Sequence, residues 1–124
     1  MATVELTTAD FESTITENPI VLVDFWASWC GPCRMFGPIF EEVSEQHPDA
    51  VFAKVDTEAE QALSGSLGVS SIPTLMIFRD GIQLYSRPGA LPAHALADLV
   101  EQAKKVDMDQ VRAEIEAAEA GNPQ

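Results

Sequence analysis

The sequence predicts an α/β protein in which helices flank a central mixed β-sheet, with an extra helix at the C-terminus. Three observations support this fold class. Residues 20–25 form an apolar run with a single carboxylate, which is typical of a central strand buried on both faces. Helical apolar spacing follows this run, and strand and helix patterns then alternate along the chain. Asp80-Gly81 lies between two strand-like segments and indicates a β-hairpin.

The elements before the central strand are a short strand and a helix. The mixed segment at residues 3–6 suits an edge strand. Thr7 or Thr8 suits the N-cap of a helix, because a side-chain oxygen there accepts a backbone N–H that the helix leaves unpaired. Asn18-Pro19 ends this helix, since the residue before a proline is disfavoured in helical conformation.

A longer helix is predicted from about residue 33 to residue 46. Pro38 falls inside it and predicts a kink, because proline cannot donate the helical hydrogen bond. His47 follows the helix and is expected to be exposed to solvent. Val51, Ala53 and Val55 recur at alternate positions of residues 51–56 and predict the next strand.

The remaining elements of the sheet are a weaker helix, two strands and a final packed helix. The weaker helix is predicted at residues 58–67 and ends at Gly68. The hairpin strands are predicted at residues 74–79 and 82–86, on either side of Asp80-Gly81. A further helix opens near Pro92 and carries a buried apolar stripe.

The C-terminal segment predicts one more helix, capped by Asp107 and ended by Gly121-Asn122-Pro123. Its apolar residues form one narrow stripe, namely Met108, Val111, Ile115 and Ala118. We therefore expect a domain at residues 1–106 and a helical extension at residues 107–124 that the domain does not need in order to fold.

Composition excludes several functions. Seven basic and twenty acidic side chains give a formal net charge of −13, which opposes binding to nucleic acid and anionic membranes. No stretch approaches the roughly 18 apolar residues of a membrane span. The first 20 residues contain no Lys or Arg and no apolar block, so we expect no signal peptide and a cytoplasmic location.

The only two cysteines, Cys30 and Cys33, lie where the central strand gives way to a helix. The partial positive charge of a helix N-terminus favours a thiolate. A zinc site needs about four ligands, and His47 and His94 are not at ligand spacing. A structural disulfide closing so short a loop contributes only about 2 kcal/mol. A redox-active dithiol is the remaining interpretation, and the strand-to-helix context favours it.

The segment Trp-Ala-Ser-Trp-Cys-Gly-Pro-Cys-Arg at residues 26–34 resembles the active-site motif of the thioredoxin family. The resemblance covers residues 3–106. Further matching positions are Asp24, Lys54, Ile72-Pro73-Thr74 and Gly89. The resemblance implies a thioredoxin fold and the activity of a protein-disulfide reductase.

The order of the cysteines suggests their roles. Cys30 is nearer the helix start and follows Trp29, so we expect it to be the nucleophile and Cys33 to be the resolving thiol. Gly31-Pro32 between them resembles family members that act as reductants. Oxidants and isomerases of the superfamily commonly carry a histidine there, so this alternative is disfavoured.

Asp24 is a candidate general base or acid. In a strand covered on both faces its carboxylate is costly to bury unless it is protonated or paired. It would then relay the proton of Cys33, through water. The alternative is a carboxylate at a strand end with access to solvent. The resemblance implies that Lys54 modulates this aspartate, although the position of Lys54 alone suits an exposed face equally well.

The resemblance also implies a substrate-binding surface. Most X–Pro bonds are trans, but Ile72-Pro73-Thr74 resembles a cis-proline loop whose backbone pairs with an extended substrate. Trp26 is expected to pack beneath the site. The expected docking rim is formed by apolar and small residues, namely Trp29, Gly31, Pro32, Ile72, Pro73, Gly89 and Ala90.

The implied partners are disulfide-containing proteins and a thioredoxin reductase. NADPH and FAD belong to that reductase, because this chain has no glycine-rich dinucleotide motif, and we expect no bound cofactor or metal. A monomer is expected. The alternative function is a thioredoxin-fold binding module or cochaperone that acts through residues 107–124.

Overall fold

The structure is a computed structural model that describes residues 2–121. Within that range the chain forms five strands and five helices. In chain order they are β1 (Thr3–Glu5), α1 (Thr8–Glu17), β2 (Ile20–Trp26), α2 (Gly31–Gln46), β3 (Val51–Asp56), α3 (Gln61–Ser66), β4 (Thr74–Arg79), β5 (Ile82–Pro88), α4 (Ala93–Lys105) and α5 (Met108–Ala120). The predicted helix end at Asn122-Pro123 lies outside the described residues.

The five strands form one mixed sheet in the order β1-β3-β2-β4-β5. β2 is central, parallel to β3 and antiparallel to β4. β1 forms one edge and the β4–β5 hairpin reaches the other. Asp80 and Gly81 have φ values of 53° and 80°, the left-handed conformation that a tight hairpin turn requires. The predicted mixed sheet and hairpin are confirmed.

β2 is buried because both faces of the sheet are covered. Alternate side chains of a strand point to opposite faces, so β2 contributes to two apolar clusters. On one face the sheet packs with α2 and α4, through residues that include Leu22, Phe36, Phe40, Phe52 and Leu96. On the other it packs with α1, through residues that include Phe11, Val21, Val23, Phe25 and Phe78. Asp24 follows Leu22 by two residues and therefore lies on the α2 face.

Two helices begin elsewhere than predicted. α2 begins at Gly31, two residues early, because Cys30 acts as its N-cap and a proline fits the first turn. α3 begins at Gln61 instead of residue 58, because the Asp56 carboxylate accepts the N–H of Glu58 at 2.9 Å and holds a turn there.

The prediction that His47 is exposed is wrong. It ends α2 but is only 8% exposed, and its ring stacks on Phe52 with centroids 6.5 Å apart. The Lys104 ammonium of α4 lies 3.0 Å from His47 Nδ1. The C-terminal ends of α2 and α4 thus meet over His47, a tertiary contact that local spacing does not reveal.

α5 contacts the domain through its first turns. The Asp107 carboxylate accepts the N–H of Gln110 at 3.1 Å, which confirms the predicted cap. Met108 is buried, and Arg112 forms an ion pair with Asp80 at 3.2 Å. Ile115, further along the stripe, is 40% exposed. Across residues 2–121, no helix has the length and apolar character needed to cross a membrane.

Candidate active site

Cys30 and Cys33 form a disulfide at the N-terminus of α2, with their Cα atoms 5.2 Å apart. Cys30 is the N-cap, and its Sγ accepts the N–H of Cys33 at 3.2 Å. The exposed fractions of the two residues, 5% and 4%, do not distinguish them. The backbone geometry does, because an N–H directed at Cys30 Sγ would stabilise a thiolate there after reduction.

The Ile72–Pro73 loop lies directly against Cys30. The Ile72–Pro73 peptide bond is cis, as the family resemblance implies. The carbonyl oxygen of Ile72 lies 3.7 Å from Cys30 Sγ. The Pro73 carbonyl accepts the N–H of Gly89 at 2.8 Å, which joins the loop to the segment after β5.

The structure brings the expected docking rim together around Cys30. Trp29 is 65% exposed, although it is large and apolar. Pro32, Gly89 and Ala90 are also exposed, Gly31 and Ile72 are partly buried, and Pro73 is buried. A groove of about 290 Å³ extends from Trp29 and Ile72 along the start of α3. The site is therefore an open surface next to the disulfide.

Asp24 is fully buried on β2, in register with Lys54 of β3 and Leu75 of β4. Neither carboxylate oxygen has a hydrogen-bond partner among the residues that the structure describes. Burial raises the pKa of Asp24 from its ordinary value of 3.8 to about 7; Lys54 opposes this rise and Glu5 adds to it. The alternative of a solvent-exposed strand end is excluded, and Asp24 can exchange a proton near neutral pH.

Lys54 is partly buried between Trp26 and α2. Its ammonium lies 5.2 Å from the centre of a Trp26 ring, a cation–π distance. A Cβ at Gly37 would lie 3.6 Å from the same nitrogen, so α2 covers the lysine closely. Trp26 itself packs against the disulfide. These contacts argue against the exposed-face alternative for Lys54.

A cavity of about 500 Å³ lies on the side of Cys33 away from the docking rim. Its lining includes Cys33, Trp26 and Lys54, with Arg34 and Glu41 from α2. It is large enough for several water molecules, each of which occupies about 30 Å³ of liquid volume. Water can therefore reach the resolving cysteine from the side of Lys54.

Sequence reasoning missed Glu5 of β1. It pairs in register with Lys54 and adds to the raised pKa of Asp24. Only the strand pairing reveals this, because the sequence does not specify which residue of β1 lies beside Lys54. Within residues 2–121, no cluster of three or more His, Cys, Asp or Glu could hold a metal ion. The chemistry present is that of a redox-active cysteine pair at the start of α2 and a buried acid on β2, the strand that leads to it.

Comparisons with known proteins agree with this chemistry. The thioredoxin family model matches residues 2–102. A putative thioredoxin 2 of Streptomyces coelicolor is 53% identical over 122 residues, covering 97% of this chain and 91% of that protein. The thioredoxin of Bacillus subtilis is 40% identical over 103 residues, covering 82% of this chain and 98% of the relative.

Solved structures agree as well. A mutant thioredoxin from Halobacterium salinarum superposes with a TM-score of 0.77 at 38% identity, covering 84% of this chain and 91% of the other. The fold, the disulfide at the helix start and the sequence matches lead to one assignment: the chain belongs to the thioredoxin family of thiol–disulfide oxidoreductases, with Cys30 and Cys33 as its redox-active pair.

Proposed function

We propose that this chain is a general protein-disulfide reductase in which Cys30 attacks and Cys33 resolves. The observation that carries the proposal is the environment of Cys30 Sγ, which accepts the Cys33 N–H at 3.2 Å and lies 3.7 Å from the Ile72 carbonyl. A thiolate at this position is stabilised by the helix start and lies beside a loop able to present a substrate.

The reaction proceeds by two exchanges. The Cys30 thiolate attacks one sulfur of the target disulfide, forms a mixed disulfide and releases the other sulfur as a thiolate that takes up a proton. Cys33 loses its proton and attacks Cys30 Sγ, which breaks the mixed disulfide. The target is released as a dithiol. Cys30 and Cys33 have supplied the two electrons and are left joined in a disulfide.

Asp24 accepts the proton that Cys33 must lose. Its raised pKa, about 7, suits a group that takes up and releases a proton near neutrality. The cavity beside Cys33 extends to Lys54, the partner of Asp24 in the sheet register, and this supports a transfer through water. Lys54 tunes the pKa of the acid through its charge, and Gly31-Pro32 tunes the dithiol to act as a reductant.

Substrates bind at the docking rim defined above. The exposed Trp29 supplies the largest apolar contact, and the edge of the cis-proline loop can pair with an extended backbone. Flexible or extended segments around a target disulfide fit this open surface better than buried disulfides do. The substrate-binding residues are Trp29, Ile72, Pro73, Gly89 and Ala90.

Disulfide-containing proteins and thioredoxin reductase are the general partners of this family. For this chain the reductase would use NADPH and its own FAD, and the chain would act as a monomer in the cytoplasm. Residues 1–106 would carry the reductase activity, and residues 107–124 would form a docked extension.

Trapping experiments test the assignment of roles. Cys33→Ser should accumulate mixed disulfides with target proteins through Cys30, whereas Cys30→Ser should accumulate almost none. Non-reducing gels followed by mass spectrometry detect these species. Equal trapping by the two variants would refute the assignment. Reduction of insulin by NADPH and thioredoxin reductase, with the double serine variant as control, separates a reductase from a binding module, which would keep its function without the cysteines.

A further inference from the structure

A row of three charged side chains crosses the sheet beneath α2. Glu5 of β1 is in register with Lys54 of β3, and Lys54 is in register with Asp24 of β2. Residues in register on neighbouring strands point to the same face of a sheet. Lys54 therefore lies between two carboxylates, one buried and one at the edge of the sheet.

Lys54 is placed to interact with either carboxylate. In the part of the chain that the structure describes, no carboxylate oxygen lies within 4.0 Å of its ammonium. The ammonium lies over Trp26 and under Gly37. Its long side chain allows it to move towards Glu5 or towards Asp24, so the two acids share one cation.

The other charged groups around the row have partners of their own. On β3, the Asp56 carboxylate accepts the N–H of Glu58 at 2.9 Å. On α2, the Glu41 carboxylate accepts the Thr3 hydroxyl at 2.6 Å and the Ala2 N–H at 2.9 Å, and the Thr3 bond lowers its pKa.

Two neighbours complete the surroundings of the row. Arg34 of α2 donates to the Ser28 carbonyl at 2.9 Å. β4 presents the apolar Leu75 beside Asp24. Glu5 is therefore the acid without a competing hydrogen bond that lies next to the shared lysine.

We propose that Glu5 is a positioning residue that competes with Asp24 for Lys54 and thereby sets the pH range in which Asp24 exchanges a proton. The inference rests on the role proposed above for Asp24. When Glu5 is ionised it attracts the ammonium and repels a charge on Asp24, and both effects favour the protonated acid. Glu5 itself has a raised pKa, because burial outweighs the opposing effect of Lys54 and Asp56 adds to the rise.

The expected size follows from the sheet geometry. Two strand spacings separate Glu5 from Asp24 by about 10 Å, so direct repulsion moves the titration of Asp24 by roughly 0.3 pH unit, and the displacement of Lys54 raises the total to at most roughly 1 pH unit. Glu5 lies at the sheet edge, so salt screens part of this effect. Measurements at low ionic strength give the full shift.

The test is the titration of Asp24 in the oxidised full-length protein, where no thiol titrates with it. NMR of the side-chain carboxyl carbon reports its midpoint. Glu5→Gln should lower the midpoint by roughly 0.3 to 1 pH unit, and Glu5→Asp should restore most of it. Glu12→Gln, which removes an exposed acid from α1, is the matched control and should leave it unchanged.

A second background tests whether Lys54 is the shared element. In a Lys54→Met protein, Glu5→Gln should move the midpoint by less than in the wild type, because the shared cation is absent and only the direct repulsion of roughly 0.3 pH unit remains. An equal movement in both backgrounds overturns the proposal that Glu5 acts through Lys54.

The kinetic outcome separates this inference from the proposed function. The pH profile of disulfide exchange should move to lower pH in Glu5→Gln. If the midpoint stays near 7 in that variant while Asp24→Asn still slows exchange, only the inference about Glu5 is overturned. If Asp24→Asn exchanges at the wild-type rate and Asp24 titrates near 3.8, both proposals are overturned.

Discussion

Asparagine at position 24 removes the ionisation of the buried acid and keeps its shape. The pKa of Asp24 is raised from 3.8 to about 7 on folding, so the folded protein binds this proton more tightly than the unfolded chain. The resulting stabilisation is complete below the unfolded pKa near 4 and is lost as pH rises through about 7. A rise of about three pKa units corresponds to roughly 4 kcal/mol.

The expected result is a stability difference that depends on pH. A protonated carboxyl and an amide both lack partners at this site, so Asp24→Asn and wild type should have similar unfolding free energies near pH 4. By pH 8 the variant should be more stable by up to about 4 kcal/mol. It should also resolve mixed disulfides about 10²-fold more slowly or worse, the usual contribution of a general base.

Urea unfolding of both oxidised proteins between pH 4.5 and 8.5 measures this difference, and stopped-flow exchange measures the rate. Comparing the two proteins at each pH cancels the contributions of the other acids, which are the same in both. A difference that does not change with pH, or a variant less stable at pH 8, would show that the Asp24 carboxylate is paired or solvated. The proton-relay role would then be untenable.

Four further variants have distinct expected outcomes. Trp29→Ala should lower kcat/KM for protein disulfides about 30-fold, as for an interface hot spot, with little change in melting temperature. Truncation after Val106 should cost about 2–3 kcal/mol by exposing the domain surface under Met108. Truncation after Arg112 removes exposed residues and keeps the Arg112–Asp80 pair, so it should cost under about 1 kcal/mol. Calorimetry measures both costs, and both truncated proteins should still reduce insulin. His47→Ala should lose about 1–3 kcal/mol in urea unfolding and exchange at the wild-type rate.

Much of the fold follows from local patterns. β3 and β4 begin and end at the predicted residues, because apolar residues alternate along β3 and β4 is a short apolar run that ends at Asp80-Gly81. The hairpin follows from Asp80-Gly81, the dipeptide that best tolerates the left-handed conformation. Helix starts were harder to place, since the Asp56 carboxylate competes for the backbone N–H groups that would otherwise begin α3.

The sequence predicts some of the residues that matter to the site and its surroundings but not others. The cysteine pair and the buried Asp24 follow from the motif and from a strand that is apolar on both faces. Glu5 and His47 could not be assigned, because their environments come from elements distant in sequence, β3 for Glu5 and α4 for His47. Local sequence patterns contain helical and strand periods but not the register between strands.

The free-energy cost of burying Asp24 accounts for the position of Lys54 beside it. A buried carboxylate with no hydrogen-bond partner lowers stability at neutral pH by several kcal/mol, a large share of the net stability of a small domain. A closer Lys54 would remove much of that cost, but it would also lower the pKa of Asp24 below the range in which a thiol gives up its proton. The lysine lies instead over Trp26 and beneath Gly37. With Lys54 in this intermediate position, burial of Asp24 still lowers the free energy of unfolding. The pKa of Asp24 stays near 7, where the acid can accept a proton from Cys33.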